Sequence, residues 1–168
     1  MNKKARKIIA ASGIGAVTAA VAGVSSYITT RYLMRVALDR EEPKTIKKAE
    51  KLIAGSKISN DFLDRIEASA EKLSAEETET VEIVSHDGTL LSGHWLPCEN
   101  AERVVIAMHG WRSSWYKDFG MIADFWKDSG CSVLYAEQRG QNNSAGDYMG
   151  FGLIERYDCL DWVQWVNE

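Results

Sequence analysis

Three carboxylates near the end of the chain have the residue type and spacing that could support chemistry. Glu155, Asp158 and Asp161 stand at positions i, i+3 and i+6 of a segment with helical periodicity. Paired carboxylates can transfer protons or bind a metal ion. Because the same segment also has an apolar face, the pattern favours a simpler interpretation, in which these acids form the solvated side of an amphipathic helix.

The cysteines and histidines form no recognisable metal-binding motif. Cys98, Cys131 and Cys159 lack C-x-x-C spacing, and the three histidines add no zinc-ligand spacing. A Cys–His nucleophile pair stays open but has no motif behind it. The chain also lacks a phosphate-cradling glycine loop and a basic aromatic surface in its acidic part. We therefore predict no metal, no cofactor and no nucleic-acid partner.

Two polar segments stand directly after apolar runs, where a sheet would position them. His109-Gly110-Trp111 follows the run RVVIAM (103–108), and Glu137-Gln138-Arg139-Gly140 opens a Gly/Asn/Ser loop after CSVLYA (131–136). Continuous apolar runs of this length are typical of strands buried on both faces of a parallel or mixed sheet. On the residues alone, a His-Gly pair at this place indicates a tight turn.

The surrounding patterns predict the elements of an α/β fold. Residues 80–85 and 90–96 are strand-like and flank an Asp-Gly turn, which predicts a β-hairpin. Helical periodicity follows over 115–128 and 151–167. A hairpin followed by strand–helix–strand–helix is the beginning of an α/β sheet with right-handed crossovers.

These segments together resemble the N-terminal part of an α/β-hydrolase. The resemblance rests on the runs DGTLLSGHWLP, VVIAMHGWRSS, GCSVLYAEQRGQNNSAGDYMGFG and ERYDCLDWVQWV, and it covers about residues 80–168. The sequence is most similar to bacterial membrane-anchored hydrolases of the serine aminopeptidase-like branch. The HGW turn combined with the QRG…S…G loop is the specific part of the match.

The resemblance implies roles for particular residues. In such hydrolases the turn after the third strand supplies a backbone N–H to the oxyanion hole, which here implies Gly110 and Trp111. Gly110 would allow close approach of the backbone, the N–H of Trp111 would be the donor, and the Trp111 ring would line the acyl pocket. His109 is expected to be structural. The motif residues of the second loop, also expected to be structural, are Glu137, Arg139, Gly140 and Ser144.

Two positions depart from the family pattern. The family more often has Asp where this chain has Glu137, and commonly has Gly where this chain has Asn142. The second difference affects the expected conformation of the loop.

The same resemblance assigns no nucleophile, base or orienting acid to the residues of this chain. A serine hydrolase of this fold needs Ser, Asp or Glu, and His in that chain order, with the serine in a G-x-S-x-G elbow. Residues 142–146 lack the first glycine, and no histidine follows His109. We therefore expect an incomplete hydrolase domain whose triad lies beyond residue 168, acting on a small-molecule or peptide substrate. The alternative is a non-catalytic, membrane-tethered fragment or interaction protein.

The first part of the chain has a different composition. Residues 1–40 carry seven Lys/Arg and one acid, whereas residues 41–168 carry thirteen Lys/Arg and twenty-three acids. Ile8 to Ile28 contain no charge, and at about 1.5 Å per residue such a helix is long enough to cross a bilayer. We predict a single-pass anchor in the lipid bilayer, with the basic N-terminus inside and the acidic part outside. A signal peptide cleaved after Ala20-Val21-Ala22 and a soluble Ala-rich helix are the alternatives.

A polar, helix-prone segment separates this head from the predicted domain. Pro43 begins one amphipathic pattern through Ile53, and a second pattern runs from Phe62 to Leu73. The predicted organisation is therefore a transmembrane anchor over 1–35, a helical stalk over 36–79 and an incomplete α/β-hydrolase domain over 80–168.

Overall fold

The computed structural model describes residues 3–44, 46–48 and 61–168, and for residues 3–16 it describes the backbone alone. The chain divides into two compact units, the first ending at Ala37 and the second running from Leu38 to Glu168. The first unit consists of helix α1 (Lys3–Leu38), which continues by one residue into the second.

Helix α1 contains the whole of the predicted anchor, Ile8 to Ile28. Within the part of the chain that the structure describes, no helix is both long enough and apolar enough to span a membrane. The predicted transmembrane segment is thus not supported by the structure, and the side chains of its residues 8–16 lie outside the described ones. Ala, Gly and Ser make up much of this run, which keeps its hydropathy modest.

The second unit is built on a four-stranded mixed sheet. Its elements are α2 (Asp61–Ser74), β1 (Glu79–Val84), β2 (Leu90–Leu96), β3 (Arg103–Met108), α3 (Trp115–Asp128), β4 (Cys131–Ala136) and α4 (Glu155–Asn167). The strand order is β1-β2-β4-β3, with β2 antiparallel to both β1 and β4, and β3 parallel to β4. The predicted hairpin followed by strand–helix–strand–helix is confirmed.

Strand β4 lies at the centre of two apolar clusters on opposite faces of the sheet. Val133 and Tyr135 pack on one side with Leu73, Ala107 and Trp115. Leu134 and Ala136 pack on the other side with Val81, Leu91 and Trp162. This alternation follows from the two-residue period of a strand. β3 was predicted to be buried on both faces, but it lies at the edge of the sheet and leaves Val104 exposed.

The stalk prediction has a mixed outcome. The first predicted stalk helix falls largely on residues 45 and 49–60, which lie outside the described residues. The second is present as α2, and it packs against α3 with Ala70 and Leu73 buried. Leu73 belongs to a core cluster of the compact unit 38–168, to which α2 also belongs.

The close contact between α2 and α3 predicts that replacing Gly120 by alanine destabilises the protein, although the same change usually stabilises a helix. A Cβ at Gly120 would lie 2.6 Å from the backbone carbonyl atoms of Ser69, so the helices would have to separate. Gly→Ala in an unobstructed helix stabilises by about 1 kcal/mol. We expect Gly120→Ala instead to lower the free energy of unfolding by about 1–3 kcal/mol, measured by urea denaturation. Met121→Ala, on the exposed side of the same helix, is the control, and a stabilised Gly120→Ala protein would contradict the close approach.

Candidate functional site

Two loops meet at one edge of the sheet. Because β3 and β4 are parallel and Met108 pairs with Ala136, both strands end at the same level. The segments 109–114 and 137–150 therefore emerge side by side. In α/β sheets, ligands bind in the crevice outside the carboxyl ends of the strands.

The turn after β3 is held in place by side chains on both sides. The Gly110 N–H donates to Asp118 Oδ2 at 2.5 Å, and the Ser113 hydroxyl donates to Asp118 Oδ1. Arg112 has a φ of 51°, in the left-handed region, and its N–H donates to Gln141 Oε1 at 2.7 Å. The two loops are thus directly joined by a hydrogen bond.

His109 is fully buried, and its imidazole is committed to these loops. Its Nε2 accepts hydrogen bonds from the Gln138 N–H (3.3 Å) and from Asn142 Nδ2 (3.1 Å). Nδ1 must then carry the proton, which it donates to the Gly110 carbonyl at 2.9 Å. With both ring nitrogens engaged, the geometry assigns His109 a role in joining the loops.

Trp111 lines a cleft beside the turn. Its ring is half-exposed and stacks on Phe151, with ring centroids 6.5 Å apart. The cleft has a volume of about 300 Å³, and Gln138, Gln141 and Met149 contribute to its walls. Since the Gly110 N–H is bound to Asp118, it does not point into this cleft as a donor. Of the two predicted oxyanion residues, only Trp111 lines the cleft.

Arg139 is buried at the start of the second loop and joins three elements. Its Nε and Nη2 donate to the two carboxylate oxygens of Asp158 on α4, and its Nη1 donates to Asp87 Oδ2 at 2.7 Å. The hydrogen bonds to Asp158 raise the pKa of Arg139. The Arg139 guanidinium, with Ser85 and Thr89, holds the pKa of Asp87 well below its usual range.

Glu137 and Ser144 belong to a second buried network. Glu137 Oε1 lies 2.9 Å from His94 Nε2, and its Oε2 accepts the Asn143 N–H at 2.6 Å. Burial alone would raise the pKa of Glu137, but the hydrogen bonds from His94 and Asn143 outweigh it and lower that pKa. The Ser144 hydroxyl donates to the Glu137 carbonyl at 2.6 Å and accepts the Ser92 N–H at 3.0 Å. Ser144 is therefore fully used in holding the loop to β2.

Arg40 is a site residue that sequence reasoning missed. Its Nη1 donates to the carbonyls of Ser144 and Gly146, and its Nη2 donates to that of Asn142. A single arginine following a long helical pattern carries no signal of such a long-range contact.

Gly140, a predicted motif residue of the same loop, has a φ of 67°, and a Cβ there would lie 2.6 Å from the Tyr148 carbonyl oxygen, so only glycine fits.

The prediction of a solvated acidic face on the last helix is wrong. Glu155 and Asp158 are buried, because each has intramolecular donors: Glu155 accepts the N–H groups of Gly150 and Gly152, and Asp158 accepts Arg139. Because Glu155 binds the N–H groups of Gly150 and Gly152, residues 151–154 form a turn, and α4 begins at Glu155 instead of Phe151.

Asp161, the third acid of the helix, accepts the His86 N–H at 2.9 Å. His86, Asp158 and Asp161 lie within metal-ligand reach of one another, but Arg139 already occupies both Asp158 oxygens.

The depressed pKa of Glu137 predicts a pH-dependent contribution to stability. A carboxylate whose folded pKa lies below its ordinary value of 4.5 stabilises the fold above that pH, and the contribution disappears as the pH falls through the folded pKa. We expect Glu137→Gln to lower the free energy of unfolding at pH 7 by about 1–3 kcal/mol, with a difference that shrinks below pH 4.5. Denaturation at several pH values measures this. Glu82→Gln, at an exposed position on β1, is the control, and a difference independent of pH would contradict the network.

No family model and no curated protein matches the chain. Among solved structures, the chain is similar to esterase Pf2001 of Pyrococcus furiosus in two crystal forms. One match has 32% identity and a TM-score of 0.50 over 57% of this chain and 37% of the esterase, and the other has 31% and 0.51 over 57% and 38%. DcsB in complex with its substrate analogue matches with a TM-score of 0.50 and 18% identity over 55% of this chain and 32% of DcsB, which shows the fold alone. The chain thus spans about a third of the length of these proteins, and the matched part has an α/β-hydrolase-like fold.

Proposed function

We propose that this chain forms the N-terminal part of a serine hydrolase that cleaves ester, amide or peptide bonds. The observation that carries the proposal is the turn 109–112, which lies at the carboxyl end of β3 beside the Trp111 cleft. The similarity to an esterase at 32% identity supports an ester as the bond cleaved.

The turn's role in this proposal is to stabilise the oxyanion. Gly110 is excluded as a donor because Asp118 accepts its N–H. The proposal assigns the donor to the backbone N–H of Trp111, while the acyl group of the substrate packs against the cleft wall that the stacked Trp111 and Phe151 rings form. A preorganised N–H acts on the charge that develops on the carbonyl oxygen in the transition state.

The nucleophile and base are proposed to lie beyond residue 168. Throughout the described ranges 3–44, 46–48 and 61–168, no serine hydroxyl is hydrogen-bonded to a histidine. Each of the three histidines has other partners: His86 contacts Asp161, His94 contacts Glu137, and His109 contacts Gln138 and Asn142.

Membrane attachment through α1 is a further part of the proposal. Its support is the uncharged run Ile8–Ile28 between basic flanks, within residues 1–40, which carry seven Lys/Arg and one acid. An anchor of this kind would fit the serine aminopeptidase-like branch that the sequence resembles.

The first test is the coding sequence downstream of codon 168. We expect it to encode a G-x-S-x-G segment followed by an Asp or Glu and then a His, in that order. Residues 1–168 alone should show no covalent labelling with a fluorophosphonate probe, whereas the extended protein should be labelled at the elbow serine. Unrelated downstream sequence, or labelling of Ser113 or Ser114, would overturn the assignment.

The second test separates the backbone of Trp111 from its ring in the extended protein. Trp111→Pro removes the N–H, so kcat for a p-nitrophenyl ester should fall by about 100- to 1,000-fold. Trp111→Phe keeps the N–H and an aromatic ring, so its effect should be confined mainly to KM. Thermal unfolding of both variants verifies that they fold. Equal losses of kcat in two folded variants would argue against the N–H as the oxyanion donor.

A further inference from the structure

A second cleft, with a basic lining, adjoins the Trp111 cleft. It has a volume of about 330 Å³ and shares Gln141 and Met149 with the first. Its charged lining residues are Arg40, Arg112, Lys117 and Glu42, three cations against one carboxylate. All of them belong to the compact unit 38–168.

The arginines of this cleft are positioned by carbonyl oxygens. Arg40 donates to the carbonyls of Asn142, Ser144 and Gly146, and Arg112 Nη2 donates to that of Asp39 at 2.8 Å. For Arg40, these carbonyl dipoles fix the guanidinium without neutralising its charge. In the ion pairs of the described part of the chain, neither Arg40 nor Lys117 has a carboxylate partner. The cleft therefore retains a positive potential.

The position of Lys117 at the start of α3 also favours a bound anion. It lies in the first turn of α3, where the positive end of the helix dipole disfavours a cation. Its side chain is exposed and makes none of the hydrogen bonds that fix its neighbours Ser113 and Asp118. Lys117 thus places a positive charge where the helix dipole opposes it, and a bound anion would offset this unfavourable interaction.

We infer that the basic cleft binds a carboxylate of the substrate, so that the hydrolase acts on esters or amides that carry an acidic group. This inference rests on the proposed function. Because the clefts share two walls, one molecule can place its scissile carbonyl at Trp111 and its acidic group beside Arg112 and Lys117. The exposed Lys117 ammonium offers three N–H donors to the oxygens of a carboxylate, and Glu42 on the lining opposes a doubly charged group such as phosphate.

Binding to the full 168-residue chain tests this without requiring catalysis. The probes are monomethyl adipate, which has one free carboxylate, and the neutral dimethyl adipate, titrated by ligand-observed NMR. We expect the half-ester to bind at least fivefold more tightly at low salt, and this preference to decline as NaCl is raised. Lys117→Gln should weaken binding of the half-ester about threefold and leave the diester unchanged. Lys127→Gln, an exposed cation near the other end of α3, is the matched control.

The outcomes distinguish failure of the carboxylate site from failure of the acyl cleft of the proposed function. If both esters bind equally and Lys117→Gln changes neither, while Trp111→Ala weakens both, the basic cleft is not a carboxylate site and the proposed acyl cleft stands. If Trp111→Ala also changes nothing, or neither ester binds, the inference and the proposed acyl cleft both fail. Lys117 is exposed, so its variant should unfold at the same temperature as the unmodified chain.

Discussion

The buried charge of Arg139 constrains the whole arrangement of the loops. A guanidinium that loses its water must recover the lost free energy from carboxylates placed at hydrogen-bond distance. Arg139 meets Asp158 through two nitrogens and Asp87 through the third, and these acids come from α4 and from the β1–β2 turn. Removing one partner of such a buried pair typically costs about 3–5 kcal/mol. The hairpin, the loop after β4 and the last helix are consequently fixed relative to one another.

The Arg40 contacts close the same loop from the other side. Backbone hydrogen bonds join Arg40 N–H to the Asp147 carbonyl and Met149 N–H to the Leu38 carbonyl, both at 2.8 Å. The loop 137–150 is thereby held from within by Arg139 and from outside by residues 38–40. The loop supplies Gln141 and Met149, both largely buried, to the walls of both clefts, so a long connection without regular structure has a defined conformation there.

Features that depend on local apolar patterns could be predicted from the sequence, whereas features that depend on contacts distant in the chain could not. Strand and helix positions depend on local apolar patterns, so the hairpin, β3, α3, β4 and α4 could be recognised in the sequence. The edge position of β3 depends on strand order, which no local pattern records. The burial of Asp158 was missed because its partner Arg139 lies 19 residues away in the chain. The burial of Glu155 was missed for another reason: its donors, the N–H groups of Gly150 and Gly152, are local but belong to a turn, and an apolar pattern does not register backbone donors. Arg40 acts across more than 100 residues, at a distance where sequence periodicity carries no information.

Among the described residues, four non-glycine residues have a positive φ, and three of them line the two clefts, namely Arg112, Asn142 and Phe151. Arg112 and Phe151 have φ values of 51° and 49°, which cost a non-glycine residue of order 1 kcal/mol or more. Arg112 is held in this conformation by Gln141 and by the Asp39 carbonyl, and Phe151 precedes Gly152, whose N–H is bound by Glu155. Both of these residues contribute to a cleft, since Phe151 stacks on Trp111 and Arg112 lines the basic cleft. The hydrogen bonds of the two loops offset this strain, so the buried polar networks stabilise the backbone conformation that shapes the two clefts.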